Sequence, residues 1–139
     1  MKKTVLLIFF SLIIFMTACG SSDIAGAGKT IATAQAGNNL TATIANADGS
    51  LKKGSQEFTL TFTDAAGKPV DVGAVAFNNH MAAMGSMGAM NNTATLKTTG
   101  TTGVYKGKVE IEMAGEWQAQ ITYEGAAGKG SFAIPVIAR

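Results

Sequence analysis

The feature that most constrains the fold is a two-residue alternation of apolar and polar side chains, which begins at Leu40 and recurs up to the C-terminus. Leu40, Ala42 and Ile44 share one parity, with threonines between them. Such alternation is typical of strands that have one buried and one exposed face. Seven segments qualify as strands: 40–44, 58–63, 70–77, 93–98, 105–112, 117–123 and 132–136.

These segments follow one another without helical periodicity between them. They predict an all-β domain, an immunoglobulin-like antiparallel β-sandwich of about seven strands. A small β-barrel is the alternative arrangement. We expect this domain to span residues 39–139. Residues 19–38 are small and polar, so we expect them to form a flexible tether after a leader in residues 1–18.

The leader resembles the signal of a bacterial lipoprotein. Lys2 and Lys3 precede the apolar run 5–15, which is shorter than the roughly 20 residues of a membrane-spanning helix. Small residues then precede Cys19, and the resemblance implies cleavage there and attachment of lipid to Cys19. The alternative is an uncleaved anchor with an incidental free thiol. We expect a location in the cell envelope, outside the cytoplasm. Because Gly20 follows the cysteine, the expected site in a Gram-negative cell is the outer membrane, facing the periplasm.

The net charge and the numbers of histidine and cysteine residues exclude several classes of function. Without the two leader lysines, the 11 basic residues become 11 − 2 = 9, which equals the 9 acidic residues. A nearly neutral mature chain argues against nucleic-acid binding. One histidine and one cysteine are too few for a zinc ribbon, an internal disulfide or a multi-histidine copper enzyme. The sequence also lacks a nucleophile-elbow motif. We therefore expect a protein that is not an enzyme.

A methionine-rich segment, for which we expect a loop over residues 78–92, interrupts the alternation. Met81, Met84, Met87 and Met90 are spaced three residues apart, and residues 72–96 contain no Asp, Glu, Lys or Arg. On a strand this spacing would alternate faces, and on an α-helix it would spread the side chains around the axis. A polyproline II or 3₁₀ conformation would align all four, and a flexible loop could gather them.

The donor chemistry of this segment favours a soft metal ion. Thioether sulfur is a neutral, soft donor that selects Cu(I), or the similarly soft Ag(I), over hard cations. His80 adds an imidazole donor beside Met81. Met113 shares the parity of Val109 and Ile111, which favours core packing. Equally, it could lie at the end of the sandwich near the loop and complete a sulfur site. The other interpretations of the segment are a protein-docking surface and a scavenger of oxidants.

The segment from Gly103 to Gln118 resembles the closing hairpin of the YtkA-like family, which is related to FixH-like proteins. The likeness rests on a Gly-x-Tyr motif at Gly103, on a Met-x-Gly-x-Trp motif from Met113 to Trp117, and on the methionine loop. The strand 58–63 and the turn 64–69 are similar to the family's opening, and the resemblance covers about 56–137. It implies a sandwich outside the cytoplasm and a role in copper handling beside efflux or oxidase-assembly components. Carried over by position, it implies these metal ligands: His80, Met81, Met84, Met87, Met90 and Met113.

Two functions follow as hypotheses. The first is a lipid-anchored extracytoplasmic protein that binds Cu(I), or Ag(I), through the methionine loop. It would buffer the ion or pass it to a partner protein. The second is an envelope interaction module that binds no metal, whose methionine-rich loop docks a partner protein.

Overall fold

The computed structural model describes residues 28–139, which form an antiparallel β-sandwich of two sheets. One sheet has the strand order β1-β2-β3-β7-β6 and the other has the order β5-β4-β8-β9. The all-β sandwich expected from the alternation is therefore confirmed. No helix that could cross a membrane is found in this range. The strands are β1 (Lys29–Gly37), β2 (Leu40–Asn46), β3 (Gly54–Thr63), β4 (Ala74–Met81), β5 (Met90–Thr93), β6 (Thr95–Thr98), β7 (Val104–Ile111), β8 (Gly115–Gly125) and β9 (Gly128–Ala138).

Strands that are distant in sequence pair inside each sheet. β3 pairs with β7, and β4 pairs with β8. The chain therefore passes repeatedly from one sheet to the other, and the inner faces of both sheets enclose one core. Because the strands divide into two sheets, the barrel alternative is wrong.

The described residues contain nine strands, whereas the alternation predicted about seven. One extra strand is β5, because the predicted strand 93–98 corresponds to β6 and contains only Thr93 of β5. β5 belongs to the four-stranded sheet and β6 to the five-stranded sheet, and Ala94 alone lies between them. Residues 90–92 of β5 fall within the predicted loop 78–92, where the sequence shows no apolar alternation.

The other extra strand, β1, lies inside the segment 19–38, for which a flexible tether was predicted. That prediction is wrong for residues 29–37. Lys29–Gly37 forms β1, which pairs with β2 along its length. Asn38 and Asn39 both have positive φ, 52° and 58°, as a two-residue type I′ hairpin turn requires. β1 is an edge strand in which Ile31 is the only large apolar residue, so its own hydrophobic pattern is weak and its pairing with β2 decides its conformation. Residues 19–27 of the predicted tether, the leader and Cys19 lie outside the described residues.

The core has an aromatic end and a methionine end. Phe62 makes ring contacts with Tyr105, Tyr123 and Phe132, at centroid distances of 5.5–6.3 Å. At the opposite end, where β4 ends and β8 begins, the inner face holds Met81, and Met90 packs beside the core. Several aromatic rings close the first end, whereas thioether side chains and the buried indole of Trp117 lie at the other end.

Tyr105 gives the aromatic end an expected sensitivity to alkaline pH. Its hydroxyl lies 3.0 Å from the carbonyl oxygen of Gly73 and 3.3 Å from a carboxylate oxygen of Asp71. Burial, and then the charge of Asp71, raise the pKa of Tyr105 above its ordinary value of 10.0. The folded protein thus holds this proton more tightly than the unfolded chain. We expect the free energy of unfolding to fall as the pH rises above 10, and to fall less steeply in Tyr105→Phe. Urea titrations between pH 8 and 11.5 test this, and equal slopes would contradict it.

Candidate functional site

The methionine-rich segment is a β-hairpin. β4 and β5 pair antiparallel, with Met81 opposite Met90. At the tip, the backbone N–H groups of Met84 and Met87 each donate to the other's carbonyl oxygen, over 3.1 and 2.9 Å. Gly85 takes the first central position of the turn with φ 57°, as in a type II′ turn. A spacing of three on both sides of a two-residue turn therefore produces two cross-strand methionine pairs.

The two pairs lie on opposite faces of the hairpin. Met81 is 2% exposed and points into the sandwich, whereas Met84 is 55% exposed and Met87 is 43% exposed. Residues opposite each other in an antiparallel pair share a face, and three residues along a strand reverse the face. We call Met81 and Met90 the inner pair, and Met84 and Met87 the tip pair. Of the predicted loop 78–92, only residues 82–89 lie outside strands, and no three-residue-per-turn conformation aligns the four methionines.

Met113 lies at the same end of the sandwich as the inner pair. It occupies the turn between β7 and β8, where it packs, half-buried, against the core. The indole N–H of Trp117 donates to the carbonyl oxygen of Met113 over 3.1 Å and holds this turn. The methyl group of Met81 reaches the same turn, because a Cβ added at Gly115 would lie 2.9 Å from it. Three of the six predicted ligands, Met81, Met90 and Met113, are thus brought to one end of the core.

Asn79 is a polar residue of this inner face that the sequence-based ligand set does not contain. Its side chain is fully buried, and neither its amide nitrogen nor its amide oxygen has a hydrogen-bond partner among residues 28–139. It shares a face with Met81, two residues further along β4. Leaving a buried amide unpartnered costs on the order of 1–3 kcal/mol. The parity of Asn79, which matches Phe77 and Met81, was the signal that could have revealed it.

His80 lies on the outer face of the four-stranded sheet. Its ring Nδ1 is 2.9 Å from the side-chain oxygen of Asn91, its cross-strand neighbour. Asn78 donates to the same oxygen over 3.2 Å and to Gln120 over 3.1 Å, so His80 belongs to a polar network. Adjacent strand residues face opposite ways, and His80 therefore points away from Met81. It shares the face of the tip pair, about 13 Å along the strand from Met84.

Ionisable metal-ligating side chains are not gathered in the described part of the chain. Between residues 28 and 139 no group of three or more His, Cys, Asp or Glu residues could hold a metal ion. The groups that do converge are neutral thioethers, in a segment without charged side chains. Neutral donors leave the charge of a bound cation uncompensated and release no proton on binding, unlike thiolates.

The family model described as YtkA-like matches residues 34–122, which is more than half of the chain. The chain belongs to the YtkA-like family. The matched region runs from within β1 to within β8, so both methionine pairs and the Met113 turn are parts of the YtkA-like domain. The match also covers part of the predicted tether, in agreement with the strand found there. No curated protein and no solved structure matches this YtkA-like chain.

Proposed function

We propose that this YtkA-like protein is a lipid-anchored protein of the cell envelope that binds Cu(I), with Ag(I) as the alternative soft ion, through methionine thioethers. It would buffer the ion or pass it to a partner protein. The observation that carries the proposal is the inner pair, Met81 opposite Met90, at the end of the core where Met113 also packs. Soft sulfur donors are the ligands that Cu(I) prefers.

The inner pair and Met113 are suited to holding the ion. Opposed strand residues have Cα atoms about 4.5–5.5 Å apart, so two thioether side chains can reach one ion. A fully buried cation would be strongly disfavoured. Met90 and Met113 are only half-buried, so an ion bound there would lie at the rim of the core and keep access to solvent. The unpartnered amide of Asn79 supports this placement, because its oxygen offers a dipole to a cation or to a water beside it.

The tip pair is suited to exchanging the ion. Met84 and Met87 project their thioethers into solvent from a tight turn. Weakly held neutral ligands can be replaced one at a time by the ligands of a partner protein. We therefore assign holding of the ion to the inner pair with Met113, and its delivery to the tip pair.

An anaerobic Cu(I) titration against a chromophoric competitor tests the proposal. The full-length protein is compared with the variant in which Met81, Met84, Met87 and Met90 are all leucine. We expect stoichiometric binding by the wild type and none competitive with the probe in the variant. Leucine and methionine have similar volumes, so the fold should be retained at a cost below about 1.5 kcal/mol per site. Equal binding by both proteins would overturn the metal-binding proposal.

The exposure of the tip pair favours a second function, the docking of a partner envelope protein without metal. Exposed methionines form adaptable apolar surfaces that bind proteins. Leucine preserves apolar area but cannot ligate a metal ion. Partner binding that survives the leucine substitutions, together with an absence of Cu(I) binding by the wild type, would establish docking as the function.

A further inference from the structure

An open cleft lies on the outer face of the five-stranded sheet, away from the methionine hairpin. Its volume is about 730 Å³, which is within the range of small-molecule sites. The residues that bear on its chemistry are Gly28, Glu57, Thr59, Lys97, Lys106 and Lys108. We call this feature the lysine cleft, and the metal-binding proposal does not involve it.

The strand register gathers the three lysines on one surface. Lys97 of β6 lies directly opposite Lys106 of β7, and Lys108 follows two residues later on the same face. Like charges directly opposite each other destabilise a sheet. None of these three lysines forms an ion pair within residues 28–139, where the ion pair found joins Lys52 to Asp48.

The charge balance of the cleft favours an anion. Among the residues that line the cleft, three lysines accompany a single carboxylate, that of Glu57, which lies opposite Lys108 in the register. The excess charge of 3 − 1 = 2 is sufficient to attract a phosphate group, either the monoanionic phosphodiester of a phospholipid or inorganic phosphate. In a chain whose mature part is close to neutral, this concentration of positive charge is local. An anion bound here would relieve the repulsion between the lysines.

The path of the chain brings the cleft close to the proposed lipid anchor. Gly28 lines the rim, and a Cβ added there would overlap the carbonyl oxygen of Asn46, so the backbone at this point is tightly packed. Cys19 lies nine residues earlier. Nine residues span at most about 30 Å. A lipid on Cys19 would therefore keep the lysine cleft within about 30 Å of the membrane's headgroups.

We propose that the lysine cleft binds a phosphate-bearing anion, and that its source is the phospholipid headgroup of the anchoring membrane. Lys97, Lys106 and Lys108 would contact the phosphate oxygens. The five-stranded sheet would then face the membrane with its outer side. The assignment of a lipid source depends on the proposed lipid anchor, whereas the anion chemistry depends only on the cleft.

The test uses the full-length protein in a neutral maltoside detergent, without metal. In one arm, inorganic phosphate replaces chloride at constant ionic strength. In the other arm, micelles doped with phosphatidylglycerol are compared with micelles doped with phosphatidylcholine. Two readouts are taken: the acetylation rate of each lysine by mass spectrometry, and the affinity for each probe by calorimetry.

Two variants with equal changes in charge make the test specific. One replaces Lys97, Lys106 and Lys108 by glutamine, and the control replaces the exposed residues Lys53, Lys68 and Lys129 by glutamine. Since each lysine near an anionic surface contributes about 1 kcal/mol, we expect the cleft variant to bind at least tenfold more weakly, and the control to bind like the wild type.

Each outcome has a defined meaning. Protection of the three cleft lysines by phosphatidylglycerol alone supports the headgroup as the source. Protection by inorganic phosphate supports an anion site whose ligand can be soluble, and overturns the assignment to the membrane if phosphatidylglycerol has no effect. Protection in neither arm, or equal losses in the two variants, overturns the proposal. Because no metal is used, these outcomes are independent of the Cu(I) titration.

Discussion

Replacement of Trp117 by alanine is expected to lower the free energy of unfolding by about 3–5 kcal/mol. The indole is 1% exposed and lies on the inner face of β8, at the methionine end of the core. Its removal would leave a large cavity, and the carbonyl oxygen of Met113 would lose its donor. Because Trp117 is the only tryptophan of the chain, urea unfolding should be followed by circular dichroism rather than by fluorescence.

Trp117→Phe is the matched control. It retains most of the buried ring and removes the hydrogen bond to Met113, so we expect a smaller loss of about 1–3 kcal/mol. A loss of less than about 1 kcal/mol in Trp117→Ala would show that the indole is not part of the packed core. Since the hydrogen bond holds the Met113 turn, the phenylalanine variant also tests whether that turn supports metal binding.

Separate substitution of the two methionine pairs is expected to affect two different quantities, the affinity for Cu(I) and the rate of its transfer to an acceptor. In Met81→Leu with Met90→Leu, we expect Cu(I) affinity to fall by more than about tenfold. Loss of a residue that only supports a metal ligand already lowers affinity by about 10–100-fold. In Met84→Leu with Met87→Leu, we expect nearly unchanged affinity and slower release of Cu(I) to an acceptor. The physical reason is that the inner pair has Met113 at its side, whereas the tip pair is exposed to solvent.

Competition titrations measure the affinities, and stopped-flow transfer to a chelating acceptor measures the rates. Each double variant serves as the control for the other, because both remove two thioethers and keep apolar side chains. Loss of affinity in the tip variant, with normal binding by the inner variant, would place the ion at the turn and reverse the assignment. A His80→Gln variant should bind normally if the inner pair holds the ion.

Much of the fold could be predicted from the sequence, because alternation reports burial on one face of a strand. The hairpin 105–123 is the clearest case, since Tyr105, Val109, Trp117 and Ile121 all occupy the predicted inner parity and are buried. The strands that were not predicted were β1 and β5. Most of their residues are small or polar, and pairing with neighbours determines their conformation more than their own hydrophobicity does.

The candidate site was predictable in its composition and not in its geometry. Sequence spacing alone showed that methionines three apart cannot share one face of a strand, and the hairpin obeys that rule. It could not show that the turn lies at Gly85 and Ser86, which makes Met81 the partner of Met90 and Met84 the partner of Met87. Nor could it reveal that Asn79 would be buried without a partner.

The amino-acid sequence by itself determined the β class of the domain, its membership of the YtkA-like family and the soft, neutral character of its clustered thioethers. These properties depend on local pattern and residue type. Only the tertiary structure decided which methionines face the core, which side of the sheet carries His80, and which lysines meet across strands. Those facts depend on register and turn position, and a register is set by contacts between segments that are far apart in the chain.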